Sequence, residues 1–252
     1  MAGHSKWANI KHKKAKEDAR RSKLFSKLSK KIMVAVRESG DDPEYNSDLR
    51  LAIQKAKDNN MPNENIERAI KRGTGELEGV DFERIIYEGY GPGGAALYLD
   101  LMSDNRNRTA SEIRHIFSEH GGSLGEEGCV AWMFERRGQL MVDLKEDDRD
   151  YDQVSLQAIE AGAEDIELDE GVIEILTAPQ DFEEVRSNLQ ELGLSFSSAD
   201  IAMIPKNKVE LEASNAKKVL RLMEELEDHE DVQEVYSNFD IPDQVMEEIM
   251  AD

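Results

Sequence analysis

Apolar residues recur every four positions at Leu24, Leu28, Ile32 and Val36, with Phe25 beside them. That is one helical stripe, and Lys23, Lys27, Lys30 and Lys31 lie outside it. Gly40 and Pro43 end this helix. Asn46 can cap a second, with Leu49, Ala52, Ile53 and Ala56 on one face. Pro62-Asn63 opens a third through Ile66, Ala69 and Ile70, closed by Gly73, after which Gly75 and Gly79 mark a linker.

Past residue 80 the period becomes two. Ile85 and Tyr87 belong to one strand and Leu97, Leu99 and Leu101 to the next, joined by the Gly91-Pro92-Gly93-Gly94 turn. A helix is predicted from about Thr109, where Thr109 and Glu112 have capping-box spacing and Ile113, Ile116 and Phe117 face inward. A glycine-rich loop, 121–128, leads to Val130, Trp132 and Phe134, which alternate as the next strand. Then come a strand at 139–144, a helix at 151–161, strands at 165–168 and 172–176, a helix at 182–192 and a strand at 196–204. That β-α-β-β-α-β run has the ferredoxin-like order. A strand at 209–211, a helix at 216–226 and a strand at 232–236 follow.

The fold class expected is therefore α+β and multidomain. A basic arm with a three-helix domain takes residues 1–77. A middle α+β domain takes 78–133 and 205–242. A ferredoxin-like domain, 134–204, is inserted into it, and 243–252 form a helical tail.

Charge changes this picture. The chain carries −22 overall, yet residues 1–37 hold 12 Lys and Arg against two acids, and the remaining 215 hold 20 against 52. A head of about +10 precedes a body of about −32. The head is a polyanion-seeking arm; the body repels polyanions, or reflects a salty habitat. His4, Trp7, Asn9 and His12 are interleaved with the cations and can stack on bases or hydrogen-bond to them. A solvated helix face or a membrane-surface segment is the plainer reading. Membrane binding needs a broad apolar face, however, and before Leu24 the arm offers only Trp7, Ile10 and a few alanines. No stretch approaches the roughly 20 apolar residues of a membrane span. With no apolar leader and a single cysteine, Cys129, a reducing cytoplasmic location is expected.

Several motifs are decoys. Gly89 to Gly94 satisfy G-x-G-x-x-G, but Ala95 to Leu101 alternate as a strand and open no helix to receive a pyrophosphate. Asp148-x-Asp150-x-Asp152 lacks the glycine and final glutamate of a calcium loop and reads as a solvated helix start. The histidines at 4, 12, 115, 120 and 229 have no metal-ligand spacing with Cys129. Cys129 reads as a small packed residue. No catalytic constellation is present, so the expectation is a protein without enzymatic activity, metal, cofactor or small-molecule substrate. One internal segment stands out: Asp104, Asn105, Arg106, Asn107, Arg108 and Thr109 place two arginines before a helix, suited to a phosphate or a base edge. Equally, the arginines could pair with Asp104 or Glu112 while the Asn and Asp side chains bond their own backbone.

MAGHSKWANIKHKKAKEDARRSKLFSKL resembles the opening signature of the YebC family, bacterial relatives of the mitochondrial translational activator of cytochrome oxidase. NNMPNENIERAIKRGTGE, YEGYGPGGAALYLDLMSDNRNRT and GGSLGEEGCVAWMF are similar to that family's pattern too, so the resemblance covers essentially the whole chain. Cys129 departs from it, standing where serine is more usual, and the body is unusually acidic. The resemblance implies a helical domain and two α+β domains, one ferredoxin-like and inserted. It also implies a regulator of gene expression: a ribosome-associated translation factor that binds rRNA and assists proline-rich synthesis, or alternatively a DNA-binding transcriptional regulator. The nucleic-acid contacts would then be His4, Ser5, Lys6, Trp7, Asn9, Lys11, His12, Lys13, Lys14, Lys16, Arg20, Arg21, Lys23 and Lys27. The 104–109 loop would be a second contact. No coiled coil or large apolar seam is visible, so a monomer is expected.

Overall fold

The computed structural model describes residues 17–144, 149–169 and 171–251. These fall into two compact units, one of residues 132–207 and the other of the chain on either side of it.

In the larger unit, helices α1 (Glu17–Ser39), α2 (Ser47–Asp58) and α3 (Asn63–Gly73) pack around Leu28, Ile32, Val36, Leu49, Ala52 and Ile66. Asn46 sets the α1–α2 corner. Its side-chain oxygen accepts the Leu49 N–H at 3.0 Å, and its amide donates to the carbonyls of Ala35 and Gly40 at 2.8 and 2.7 Å. Gly73 sets how closely α3 approaches α1: a Cβ there would lie 2.7 Å from the Cβ of Val36.

The same unit continues into strands β1 (Glu83–Tyr90) and β2 (Ala96–Ser103), an antiparallel hairpin. The glycine-rich turn between them folds back with Gly93 at φ +75°, where a Cβ would meet Leu211 at 2.6 Å. Helix α4 (Arg106–Glu119) and the short strand β3 (Ser123–Leu124) follow.

The smaller unit contains β4 (Phe134–Asp143), α5 (Tyr151–Ala161), β5 (Asp165–Asp169), β6 (Val172–Thr177), α6 (Phe182–Glu191) and β7 (Ser198–Pro205). Its sheet is antiparallel with order β5-β6-β4-β7, the order of a split β-α-β unit. Leu140, Val142, Ile173, Ile175, Phe182 and Leu189 are buried in it. Asp150 caps α5 in a capping box with Gln153, the solvated helix start read there.

Back in the larger unit come β8 (Val209–Glu210), α7 (Ala213–Asp228), β9 (Val232–Ser237), β10 (Phe239–Asp240) and α8 (Asp243–Ala251). Strand β9 pairs with β2, giving the sheet order β3-β1-β2-β9, while β8 and β10 form a separate parallel pair. Ile85, Leu97, Leu99 and Leu101 of the sheet share a core with Ile113 and Phe117 of α4 and Leu222 and Leu226 of α7. Met246 of α8 is buried in the same core.

Two local expectations are corrected. Thr109 is not a cap: α4 begins three residues earlier, its N-cap is Asn105, and the Thr109 hydroxyl turns inward. Residues 130–134 are not a strand either. A single 3-10 turn spans Ala131–Met133, and β4 then runs unbroken from Phe134, because Arg136, Arg137 and Gly138 pair with Met203, Ala202 and Ile201 of β7.

Candidate nucleic-acid interface

His4, Ser5, Lys6, Trp7, Asn9, Lys11, His12, Lys13, Lys14 and Lys16 lie outside the described residues. Arg20 lies on α1. Arg21 is exposed, its guanidinium carbon 5.4 Å from the centre of the Phe25 ring. Lys23, Lys27 and Lys30 have i, i+4, i+7 spacing and share a helix face. That face meets the last turn of α7 and the residues after it. The Lys23 ammonium bonds the Asp228 carboxylate at 2.9 Å and also its carbonyl. Lys27 donates to the Glu227 carbonyl at 2.9 Å and Lys30 to that of Glu230 at 3.1 Å. The terminal carbonyls of a helix lack intrahelical partners and carry the negative end of its dipole, so ammonium groups are well placed there. On α2, Lys55 pairs with Glu234 at 2.8 Å.

Asp231 is the hub of this contact. It is 2% exposed, and its carboxylate accepts from Lys30 at 2.9 Å, Arg108 at 2.9 Å and Thr109 at 2.8 Å. Burial pushes its pKa up, but the bonds from Lys30, Thr109 and Arg108 outweigh that and hold the carboxyl well below the usual range. Thr109 also shares a 2.6 Å hydrogen bond with Ser103. Arg108 bonds Asp104 as well, at 2.8 Å, and approaches Glu112 at 3.9 Å. The Asp231 and Asp104 hydrogen bonds raise its pKa further. The loop thus divides. Asp104, Asn105, Arg108 and Thr109 are engaged within the fold, whereas Arg106 and Asn107 face solvent, with the Tyr87 hydroxyl donating to the Arg106 carbonyl at 3.2 Å.

His229 braces the same corner. Asp231 N–H donates to His229 Nδ1 at 3.1 Å, which puts the neutral ring's proton on Nε2, 3.0 Å from Glu112. His120 reaches Glu225 at 2.5 Å, a second tie between α4 and α7.

A further anchor had no sequence signal. Glu88 is 4% exposed, and its carboxylate accepts the backbone N–H groups of Gly128, Val130 and Ala131 at 2.7, 2.6 and 2.7 Å. The loop it organises carries Cys129, whose thiol is pushed up by burial and then by Glu88, the opposite of an activated nucleophile. Among the described residues no cluster of three or more His, Cys, Asp or Glu could hold a metal ion, and no helix is long and apolar enough to cross a membrane.

Comparison with known proteins places the chain. A family model described as the TACO1/YebC protein N-terminal domain matches residues 5–76, and one described as the TACO1/YebC second and third domain matches residues 82–239. The chain belongs to the TACO1/YebC family. A TACO1/YebC relative from Halothermothrix orenii is 72% identical over 250 residues, covering 99% of both chains; its name is "Probable transcriptional regulatory protein". One of the same name from Natranaerobius thermophilus is 61% identical over 248 residues, covering 98% of this chain and 99% of the relative. The crystal structure of a conserved hypothetical protein from Aquifex aeolicus superposes with a TM-score of 0.83 at 51% identity, over 93% of this chain and 96% of that one.

Proposed function

We propose that this TACO1/YebC chain is a cytoplasmic, non-enzymatic, nucleic-acid-binding regulator of gene expression, and specifically a ribosome-associated translation factor that binds rRNA through its arm and assists proline-rich synthesis. The segregation of charge carries this reading: about +10 in residues 1–37 against about −32 in the rest. Such a molecule approaches a polyanion arm first, and its acidic body reaches RNA only where a cation is presented. Arg106 and Asn107 are such a point. Residues 134–204 we read as a domain inserted into the middle one, and the working form as a monomer.

A DNA-binding transcriptional regulator is the second reading, favoured by the name its relatives carry. It would place a recognition helix in the major groove. On α1, the Lys23, Lys27 and Lys30 face is engaged by the body instead.

Sedimentation of cell lysate through a sucrose gradient separates the two. Co-migration of the intact chain with ribosomes, lost on removing residues 1–16, is the expected result. If both forms stay at the top of the gradient, the ribosome reading is wrong and DNA becomes the target to test.

A further inference from the structure

Strand alternation would point Val130, Trp132 and Phe134 to one buried face, and the 3-10 turn at Ala131–Met133 breaks it. Val130 and Phe134 are 0% and 3% exposed, while Trp132 is 64% exposed. The backbone on either side is fixed. Glu88 holds the N–H groups of Val130 and Ala131, and the Lys206 N–H donates to the Met133 carbonyl at 2.8 Å. The Lys206 ammonium donates to the carbonyl of Trp132 itself at 3.2 Å. The indole is therefore presented outward by a hydrogen-bonded frame, against the hydrophobic effect that would bury it.

Its electrostatic setting is equally unusual. Residues 132–207 contain 19 Asp and Glu but only six Lys and Arg. Arg137 pairs with Glu135 and Glu164, Arg149 binds the carbonyls of Leu192 and Gly193, and Arg186 is buried beside Glu183. Lys206, which is exposed, stands beside Trp132 through its bond to the Trp132 carbonyl. Leu156, Ile159, Leu168 and Leu192, the unit's other exposed large apolar side chains, lie on none of β4, β7 or the 3-10 turn. An exposed indole with an ammonium beside it, on elements that carry no other exposed large apolar side chain, suits a nucleobase better than a protein surface, whose hot spots sit within an apolar contact.

We propose that Trp132 is a stacking platform for an unpaired base of single-stranded nucleic acid, with Lys206 neutralising an adjoining phosphate. The inference rests on the nucleic-acid reading above and adds a contact outside the arm and the 104–109 loop. A duplex offers no free base face along its length, so the platform discriminates single from double strands.

The test uses the full chain and a fluorescein-labelled single-stranded RNA of mixed sequence, free and annealed to its complement. Trp132→Ala should weaken binding of the single strand about 5- to 150-fold, the range of one lost aromatic–base stack, and barely change duplex binding or the melting temperature. Trp132→Phe should restore most of the affinity. RNA should also quench a component of the intact protein's indole emission that Trp132→Phe lacks. Unchanged single-strand affinity in Trp132→Ala, or an equal loss for both RNA forms, overturns the inference while leaving the arm reading intact. Loss of ribosome co-sedimentation with RNA affinity unchanged would mean that Trp132 meets a protein, and also overturns it. If the intact chain binds neither RNA form, the nucleic-acid reading fails and this inference falls with it.

Discussion

Asp231 gathers an ammonium, a guanidinium and a hydroxyl within 2.9 Å while almost wholly buried. Removing one partner of such a group leaves the others desolvated and uncompensated. Asp231→Asn should therefore cost about 3 kcal/mol in chemical denaturation. Its pH dependence has a definite sign. The folded-state pKa lies below the ordinary 3.8, so the stabilisation is complete above that value and is lost as pH falls below it. The wild-type protein should lose stability relative to Asp231→Asn below about pH 4, and parallel acid profiles would refute this assignment. Arg108→Ala should also lower the melting temperature, whereas Arg106→Ala should not. Little of this was legible in the sequence. Asp231 is one of 54 acids, set in the run Glu224–Glu234 where a neighbouring carboxylate looks the same, and only the approach of α1 and α4 selects it. The 104–109 segment drew notice because arginines are scarce in the body, but sequence could not say that one guanidinium is engaged and the other presented.

Elements were read more reliably than residues, for a physical reason. Each helix buries a stripe of period near 3.6 and each long strand a face of period two, and both periods are written in the chain itself. Asn46 was recognisable because capping is local: acceptor and donor lie three residues apart. Its two bonds back to Ala35 and Gly40 were invisible, since they depend on how α1 ends. Asn46→Ala should destabilise the α1–α2 corner by about 2 kcal/mol, the cap plus two carbonyls left without their donor, with Asn46→Asp recovering only the cap. Thermal melts of the three proteins test this; equal melting temperatures for Ala and Asp would deny the cap its role. The errors came where local pattern and tertiary pairing disagree. Thr109 and Glu112 have capping spacing, but Asn105 takes the cap because Thr109 is drawn to Asp231. Residues 135–138 show no apolar alternation, yet β7 pairs with them throughout.

At the scale of the whole molecule, the contact of α1 with the segment after α7 redistributes the cations that the sequence counts as one arm. Lys23 and Lys30 pair with the carboxylates of Asp228 and Asp231, and Lys27 donates to the Glu227 carbonyl at the negative end of the α7 dipole, so the protein itself neutralises this face. A nucleic acid gains entropy on binding by shedding its own condensed counterions, one fraction for each phosphate a protein cation neutralises. Cations already matched inside the fold drive no such release. Arg37 is likewise paired with Asp81, and Lys31 lies within electrostatic reach of Glu234, so the seven Lys and Arg of residues 1–22 set the ceiling. The slope of log affinity against log salt on single-stranded RNA should not exceed about −5 from the arm, where all the cations of the first 37 residues would give about −8. Titrations across a range of potassium chloride concentrations, on a chain carrying Arg106→Ala and Lys206→Ala so that only the arm contributes, measure it, and a slope near −8 there would show that RNA displaces the acidic segment from α1. The acidic segment is in this sense a resident counterion, and it fixes how steeply binding responds to the ionic strength of the cell.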